Sequence, residues 1–328
     1  AAWYDRTMML GCALPAGDAD RLAALGAAVF PMLPNLPFAV YRAELYTWDE
    51  LTTSIGPSGT TLDAHLGAWF TASSTSVHDA VIRAVHDATI DAAVARFVEG
   101  RRVVGVMGGH ALERKAPLYR RVAELGRALT RAGFSVATGG GPGVMEAANL
   151  GAWIAPFADD TLAAAMGVLT TGASGATEIR SRWPGGGESL GVPTWVYVDE
   201  PTSAFATHIA KYFTNSIRED GLLAIARSGV VYAPGGAGTE QEIFTDTAQN
   251  SLTLYKVRSP MIFFGRQFFE REHPEILAAA RRQAETFGWS ELITVSDDLD
   301  EVVAFVDEHD PDAAGRAGVE RRRTHQDD

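Results

Sequence analysis

Residues 230–242 read Val-Val-Tyr-Ala-Pro-Gly-Gly-Ala-Gly-Thr-Glu-Gln-Glu. The apolar start, rich in β-branched residues, predicts a buried parallel strand that ends at Pro-Gly-Gly, and an amphipathic helix begins near Thr239. Where a strand, a glycine turn and a helix follow one another, the free N–H groups and dipole at the helix start favour an anion, above all a phosphate. The stretch therefore predicts an α/β fold with a phosphate site formed by Gly235, Gly236, Gly238 and Thr239.

Two carboxylates lie at the start of that predicted helix, on Glu240 and Glu242. Both would repel a bound anion unless they face another part of the ligand, because like charges in one site repel each other. A simple phosphate loop has no need of them. We interpret Glu240 as a solvent-facing residue beside the helix start and Glu242 as the candidate for chemistry.

Composition narrows the class of protein. The chain has 328 residues, of which 46% are hydrophobic, and this is enough to bury a large core. A net charge of −13 and a pI near 5.1 argue against nucleic acid or an anionic membrane as a partner. The lone Cys12 excludes a disulfide framework and a thiolate metal cluster. Because no apolar run reaches membrane-spanning length and no signal-peptide pattern is present, we expect a cytoplasmic protein.

The order of the predicted elements is typical of a doubly wound, Rossmann-like parallel sheet. A mostly helical N-terminal cap covers residues 1–100, the catalytic domain covers 101–310, and the polar tail 311–328 is predicted to be disordered. The predicted strands are 103–107, 134–137, 166–169, 194–198, 230–233, 261–264 and 293–295. The predicted helices are 61–98 with a break near 73–76, 114–131, 144–153, 203–227, 239–255, 274–286 and 299–308.

Glycine turns follow three of these strands, at 108–109, 139–143 and 235–238. In a parallel sheet of this kind, ligands bind at the carboxyl ends of the strands, near the point where the winding reverses. Neither of the two longer turns matches the dinucleotide pattern G-x-G-x-x-G, and the chain lacks the triphosphate pattern G-x-x-x-x-G-K-[ST]. The turns therefore predict a mononucleotide site rather than one for NAD or a nucleoside triphosphate.

Two stretches carry a family resemblance. Residues 139–149, Gly-Gly-Gly-Pro-Gly-Val-Met-Glu-Ala-Ala-Asn, and 234–242, Pro-Gly-Gly-Ala-Gly-Thr-Glu-Gln-Glu, resemble the two signatures of the LOG (Lonely Guy) family. The resemblance covers about residues 101–266. It implies a nucleoside 5′-monophosphate phosphoribohydrolase, which splits the N-glycosidic bond of a nucleoside monophosphate to give a free base and ribose 5-phosphate. It also implies a homodimer or larger homo-oligomer and no cofactor. The lysine decarboxylase label often given to the family has no support, because no lysine is placed for a pyridoxal phosphate Schiff base.

The resemblance also implies a catalytic pair: an arginine on the helix before the second signature, and the last glutamate of that signature. Glu242 matches the glutamate, and Arg218 is assigned as the arginine with an offset of one residue from the family spacing. Arg227, the competing candidate, lies too close to the predicted strand to face the pocket. The nucleotide-binding residues implied at the other two turns are Gly108, Gly109, Gly139, Gly140, Gly141, Gly143 and Met145.

Two other classes of function stay open. A non-catalytic nucleotide sensor would use the same pocket and signal its occupancy through the N-terminal cap. A base-exchanging ribosyltransferase would use a glutamate as a covalent nucleophile. The residues that contact the base lie on loops that the sequence does not single out, so the preferred base is left open.

Two further features have alternative interpretations. The Gly-, Ser- and Thr-rich stretch 170–191 is either a plain surface loop or a lid that contributes Arg180 or Arg182 to the site. His78 and His86 lie on a predicted helix at a spacing that does not place them on one face. They therefore predict a solvated helix surface, and we expect no metal site.

Overall fold

The computed structural model of the chain describes residues 7–33, 36, 38–55, 59–73, 76–171, 174–197 and 200–311. The strands in these residues are β1 (Met8–Leu10), β2 (Ala28–Phe30), β3 (Ser54–Ile55), β4 (Thr60–Thr61), β5 (Val103–Met107), β6 (Ser135–Thr138), β7 (Ser189–Gly191), β8 (His208–Ile209), β9 (Gly229–Tyr232), β10 (Met261–Phe263) and β11 (Ile293–Val295). The helices are α1 (Asp18–Ala24), α2 (Trp48–Thr52), α3 (Leu62–Ala72), α4 (Val77–Val98), α5 (Pro117–Arg131), α6 (Val144–Ile154), α7 (Thr161–Leu169), α8 (Gly175–Arg182), α9 (Asn215–Ile225), α10 (Ala237–Leu252), α11 (Pro274–Phe287) and α12 (Leu299–Glu308). A π-helical turn spans Phe268–Glu272, and a 3₁₀ turn spans Ser290–Leu292.

One parallel sheet organises the described chain, with seven strands in the order β11-β10-β9-β5-β6-β7-β8. The first strand of this sheet along the chain is β5, and β6, β7 and β8 are added in turn on one side of it. The chain then crosses back and places β9 on the other side of β5. Met107 of β5 lies beside Tyr232 of β9, and Gly105 of β5 lies beside Ala137 of β6. The winding therefore reverses between β5 and β9. The strands that carry the three glycine turns, β9, β5 and β6, are neighbours in the sheet.

Two apolar cores cover the two faces of the sheet. Along β5, Val103 and Met107 pack into a core shared with α4, α9 and α11, whereas Val104 and Val106 pack into a core shared with α5, α6, α7 and α12. Successive side chains of a strand point to opposite faces, so this division requires helices on both sides. The predicted fold class, a doubly wound Rossmann-like sheet, is confirmed.

The N-terminal region joins the sheet at the free edge of β8. Tyr46 and Ile209 exchange two backbone hydrogen bonds, of 2.9 and 2.8 Å, in an antiparallel bridge. Asp87 of α4 accepts hydrogen bonds from the backbone N–H groups of Phe213 and Thr214, at 3.0 and 2.9 Å, immediately before α9. The region thus fixes both the sheet edge and the start of α9. The domain boundary at residue 100 stays a prediction.

Two predicted strands are wrong. Residues 166–169 form the end of α7, in which Leu162, Ala165 and Leu169 are buried at helical spacing. Their apolar run predicts a strand as readily as a helix, because a short buried helix and a buried strand have the same composition. Residues 194–197 form no sheet strand beyond a bridge from Thr194 to Tyr212, and Val198 lies outside the described residues.

The two strands that follow β6 in the sheet, β7 and β8, lie in stretches for which the sequence predicts a loop and a helix. Residues 189–191 form β7 inside the stretch predicted to be a loop, and residues 208–209 form β8 inside the helix predicted at 203–227, which begins only at Asn215. Strands of two or three residues are too short to give a periodic signal. The predicted disordered tail lies outside the described residues from 312 onward.

Candidate functional site

A cavity of about 360 Å³ opens at the carboxyl ends of β9, β5 and β6. This volume lies within the range of small-molecule sites, and the position is the one at which the winding reverses. Its wall comes from the turns after β5, β6 and β9, the loop after β7, and the first halves of α9 and α10. The lining residues are Gly108, Gly109, His110, Gly139, Gly140, Gly141, Met145, Pro193, Thr194, Tyr197, Glu200, Pro201, Arg218, Glu219, Gly236, Ala237, Gly238, Thr239 and Glu242.

The first turn of α10 forms one end of the cavity. Gly236 precedes the helix and has no side chain that could cap the first N–H groups, which an α-helix leaves without intrahelical partners. Open space lies where side chains of Gly236 and Gly238 would project, so a ligand can approach the backbone closely. At Gly235 a Cβ would collide with the Thr239 hydroxyl and lie 2.8 Å from the amide nitrogen of Gly109. The turn therefore requires glycine for two reasons, ligand access and close packing.

Arg218 on α9 and Glu242 on α10 face each other across the floor of the cavity. The Nη1 atom of Arg218 lies 3.8 Å from Oε1 of Glu242, and the two side chains are only 9% and 13% exposed. Nε of Arg218 donates to the carbonyl oxygen of Val192 at 2.7 Å. Its guanidinium occupies the space that a side chain at Gly139 would need. Both the backbone after β7 and the Asp87 contact with the start of α9 thus hold Arg218 in place.

Burial raises the pKa of Glu242 from its ordinary value of 4.5 to about 7, although the charge of Arg218 lowers it and that of Glu219 raises it further. Glu219 lines the same cavity and accepts hydrogen bonds from Asn215 at 2.8 Å and from Gln241 at 2.6 Å. A carboxyl group that changes protonation near neutral pH inside a cavity is a frequent property of reactive sites.

The structure gathers most of the predicted site residues around this cavity: Gly108, Gly109, Gly139, Gly140, Gly141, Met145, Arg218, Gly236, Gly238, Thr239 and Glu242. Gly143 and Gly235 lie behind the wall. Gly143 precedes α6 with a φ of 71° and packs against the backbone of Gly109. Arg227 is absent from the lining, in agreement with the choice of Arg218.

The stretch 174–182 is not an open lid. Residues 175–182 form α8, in which Arg180 donates to the carbonyl oxygen of Ala204 at 2.8 Å and pairs with Asp49 at 2.5 Å. Neither Arg180 nor Arg182 lines the cavity, so a lid built on these arginines has no support.

The prediction of a solvated surface is wrong for His86. Its ring is completely buried, 2.9 Å from the Tyr46 hydroxyl and 3.1 Å from the Asp87 carboxylate, because this face of α4 packs on the sheet edge. His78 is exposed, as predicted. In the described residues no three His, Cys, Asp or Glu side chains are grouped in a way that could hold a metal ion.

The sequence did not single out one wall of the cavity. The loop after β7 contributes Pro193, Thr194, Tyr197, Glu200 and Pro201, and the turn after β5 contributes His110. The only sequence feature near Glu200 is the apolar run before it, and the strand which that run predicts does not form in the described residues 194–197. None of the helices in the described ranges is both long and apolar enough to span a membrane.

Glu242→Gln should raise the stability of the folded state at alkaline pH and change that stability little near pH 5. Between pH 4.5 and about 7 the folded state keeps a proton that the unfolded chain has released, so stability falls as pH rises through this window. Glutamine cannot ionise, so the substitution removes this loss in the free energy of unfolding, which is on the order of 3 kcal/mol at most. Urea unfolding of both proteins at about pH 5 and pH 8 measures the effect. A gain of the same size at both pH values would contradict a raised pKa.

Comparisons with solved structures return partial matches to molybdenum cofactor proteins. The molybdenum cofactor binding protein from the phototrophic bacterium Rippkaea orientalis is 14% identical, with 63% of this chain and 96% of that chain covered and a TM-score of 0.40. The molybdenum cofactor carrier protein of Chlamydomonas reinhardtii is 19% identical, with 64% and 98% covered and a TM-score of 0.39. A second structure of that carrier protein is 20% identical, with 63% and 96% covered and a TM-score of 0.38.

The family comparison is more informative. No curated protein matches the chain. A model of the SLOG cluster4 family matches residues 101–279, which is more than half of the 328 residues and includes all three glycine turns, Arg218 and Glu242. The chain belongs to the SLOG cluster4 family.

Proposed function

We propose that the protein hydrolyses the N-glycosidic bond of nucleoside 5′-monophosphates, the activity of the LOG family whose signatures it resembles. The observation that carries the proposal is the buried pair Arg218 and Glu242, 3.8 Å apart, in the same cavity as the open first turn of α10. The helix start supplies donors for a phosphate, and the pair supplies charge for the sugar.

The 5′-phosphate is expected at the first turn of α10. Backbone N–H groups point into the cavity there, the helix dipole favours negative charge, and the Thr239 side chain lies at the same end. The other charged residues of the wall are three glutamates, Glu200, Glu219 and Glu242, and Arg218. Because Arg218 already faces the carboxylate of Glu242, the helix start is the more favourable anion site, and a phosphate there sets the direction in which a nucleotide lies.

The cleavage step suits the remaining charges. Breaking the bond between C1′ and the base nitrogen develops positive charge on the ribose and negative charge on the leaving base. Ionised Glu242 stabilises the cationic sugar and orients the water whose hydroxyl adds to C1′, and the proton that this water releases ends on the leaving base. Arg218 orients Glu242 and the substrate. The phosphate contact holds C1′ at a fixed place relative to the carboxylate.

The substrate assay separates this proposal from the two other classes of function. The protein is incubated with AMP, GMP, CMP and UMP, and free base and ribose 5-phosphate are measured together. Both products are expected in equal amounts. A sensor would bind AMP and release neither product. A base-exchanging enzyme would incorporate added labelled adenine into AMP, whereas a hydrolase would not.

We expect a homodimer or larger homo-oligomer, with α10 in the contact. The helix α6 is buried within the monomer, whereas Phe244 and Leu252 of α10 and the following Leu254 are exposed apolar residues. Phe244→Glu should therefore weaken the assembly, because it places a charge in an apolar contact. Light scattering at micromolar concentration measures the mass, with Val77→Glu at an exposed site on α4 as control. A monomeric wild type, or a Phe244→Glu variant of unchanged mass, would refute this contact.

A further inference from the structure

The end of the cavity away from α10 is lined mainly by apolar side chains. Gly139–Gly141 and the loop after β7 form it, two and three strands across the sheet from the β9 turn. A Cβ added to Gly140 would meet the Pro193 ring, and one added to Gly141 would lie 3.0 Å from the Met145 methyl group. If the phosphate lies at α10 and the sugar beside Glu242, this end receives the base. The assignment of this end to the base therefore rests on the proposed function.

Apolar surfaces line this end. Met145, Pro193, Tyr197 and Pro201 all contribute to the wall, and the Tyr197 side chain is half exposed beside the opening. Flat rings and a polarisable thioether pack well on the faces of an aromatic base, but they do not distinguish one base from another. Discrimination has to come from a polar group at the edge of the base.

Among the polar residues at this end, which also include Thr194 and His110, Glu200 carries the carboxylate. Its Oε2 atom lies 3.2 Å from the position of a Cβ on Gly141, and its Oε1 atom lies 3.8 Å from Nδ1 of His110 on the turn after β5. The carboxylate thus lies between the β5 and β6 turns. An ionised carboxylate only accepts hydrogen bonds, so it favours a ligand edge that donates them.

Residues on both sides of Glu200 are bonded to other parts of the chain. Lys211 is buried, interacts electrostatically with Glu200, and bonds Asp63 of α3 at 2.7 Å and the Thr202 hydroxyl at 3.0 Å. The same Asp63 accepts a hydrogen bond from the Trp195 indole at 2.8 Å. Trp195 and Thr202, on either side of Glu200, are therefore both connected to Asp63 of the N-terminal region, Trp195 directly and Thr202 through Lys211. Restricting the positions that a carboxylate can take before a ligand binds improves discrimination.

We propose that Glu200 selects bases that present an amino group at C6 of a purine or C4 of a pyrimidine, so that adenine and cytosine nucleotides are preferred over hypoxanthine and uracil nucleotides. The amino groups of adenine and cytosine donate to the carboxylate. Hypoxanthine and uracil place a carbonyl oxygen at the same position, and two acceptors facing each other repel.

The matched pairs AMP with IMP and CMP with UMP test this selectivity, because each pair differs by one amino group exchanged for one oxygen. Wild-type kcat/KM should favour the amino member of each pair by about ten- to a hundredfold, the value of one charge-assisted hydrogen bond. Glu200→Gln supplies both a donor and an acceptor, so it should bring both ratios close to unity. Glu188 carries a half-exposed carboxylate and precedes β7, at the opposite end of the sheet from the cavity. Glu188→Gln is therefore the matched control and should keep the wild-type ratios.

A binding measurement separates this inference from the proposed hydrolysis. Calorimetry with AMP and IMP is run on Glu242→Gln alone and on Glu242→Gln combined with Glu200→Gln. Preference for AMP in the first protein and its loss in the second supports the inference even if no nucleotide is cleaved, in which case only the proposed hydrolysis falls. An equal loss for all four nucleotides in Glu200→Gln, or wild-type ratios near unity with turnover intact, would overturn the role of Glu200 and leave the hydrolysis standing.

Discussion

Glu242→Gln should lower kcat for AMP by about 10²- to 10⁴-fold while the Kd for AMP changes little. The amide keeps the shape of the side chain but cannot carry the negative charge that the cationic sugar requires. Phosphate binding is expected to survive, because the donors at the start of α10 are backbone groups separate from the carboxylate. Single-turnover rates and calorimetry measure the two quantities independently.

A matched control lies on the same helix. Glu240 is in the first turn of α10 but does not line the cavity, so Glu240→Gln should change kcat only severalfold at most, through its distance-dependent effect on the bound anion. Near-wild-type turnover in Glu242→Gln would remove Glu242 from the mechanism. A parallel loss of binding would show that the residue holds the ligand rather than acting on it.

The second large effect is a requirement for the 5′-phosphate. Two or three charge-assisted hydrogen bonds from the start of α10 amount to about 3–9 kcal/mol, and half of this corresponds to about a 10- to 1000-fold difference in kcat/KM. We therefore expect AMP to be cleaved that much faster than adenosine. ADP and ATP should also be poor substrates, because the glycine turn has donors for one terminal phosphate and lacks a Walker lysine.

Thr239→Val isolates this contact. Thr239 is almost completely buried, and valine keeps its shape while removing the hydroxyl. The variant should lose activity on AMP and keep the low activity on adenosine, so the ratio of the two is the readout. Equal kcat/KM values for AMP and adenosine in the wild type would show that the turn 235–239 is not a phosphate site.

The sequence could predict the parts of the site that follow from local patterns or a known motif, but not the parts that depend on long-range contacts. The glycine turns could be placed on one rim because parallel strands end at the same edge of a sheet. The pairing of Arg218 with Glu242 came from the family resemblance, and the structure places the two side chains 3.8 Å apart. The first feature depends on a local pattern at the strand ends, and the second on the match to a family motif.

Features that depend on long-range contacts were not predictable. Glu200 and Tyr197 reach the cavity from a loop without periodicity, whose position is set by Asp63 through Lys211 and Trp195. His86 is buried only because α4 packs against the sheet edge, which its own sequence does not reveal. Such placements depend on tertiary packing, which overrides local propensity.

The central claim, cleavage between base and sugar, is tested most directly by the products formed from AMP. Purified wild type is incubated with AMP beside the Glu242→Gln variant, and the products are followed by phosphorus NMR and chromatography. We expect adenine and ribose 5-phosphate in equal amounts from the wild type, and almost none from the variant. Unchanged AMP with the wild type, or adenosine with inorganic phosphate, would contradict the account.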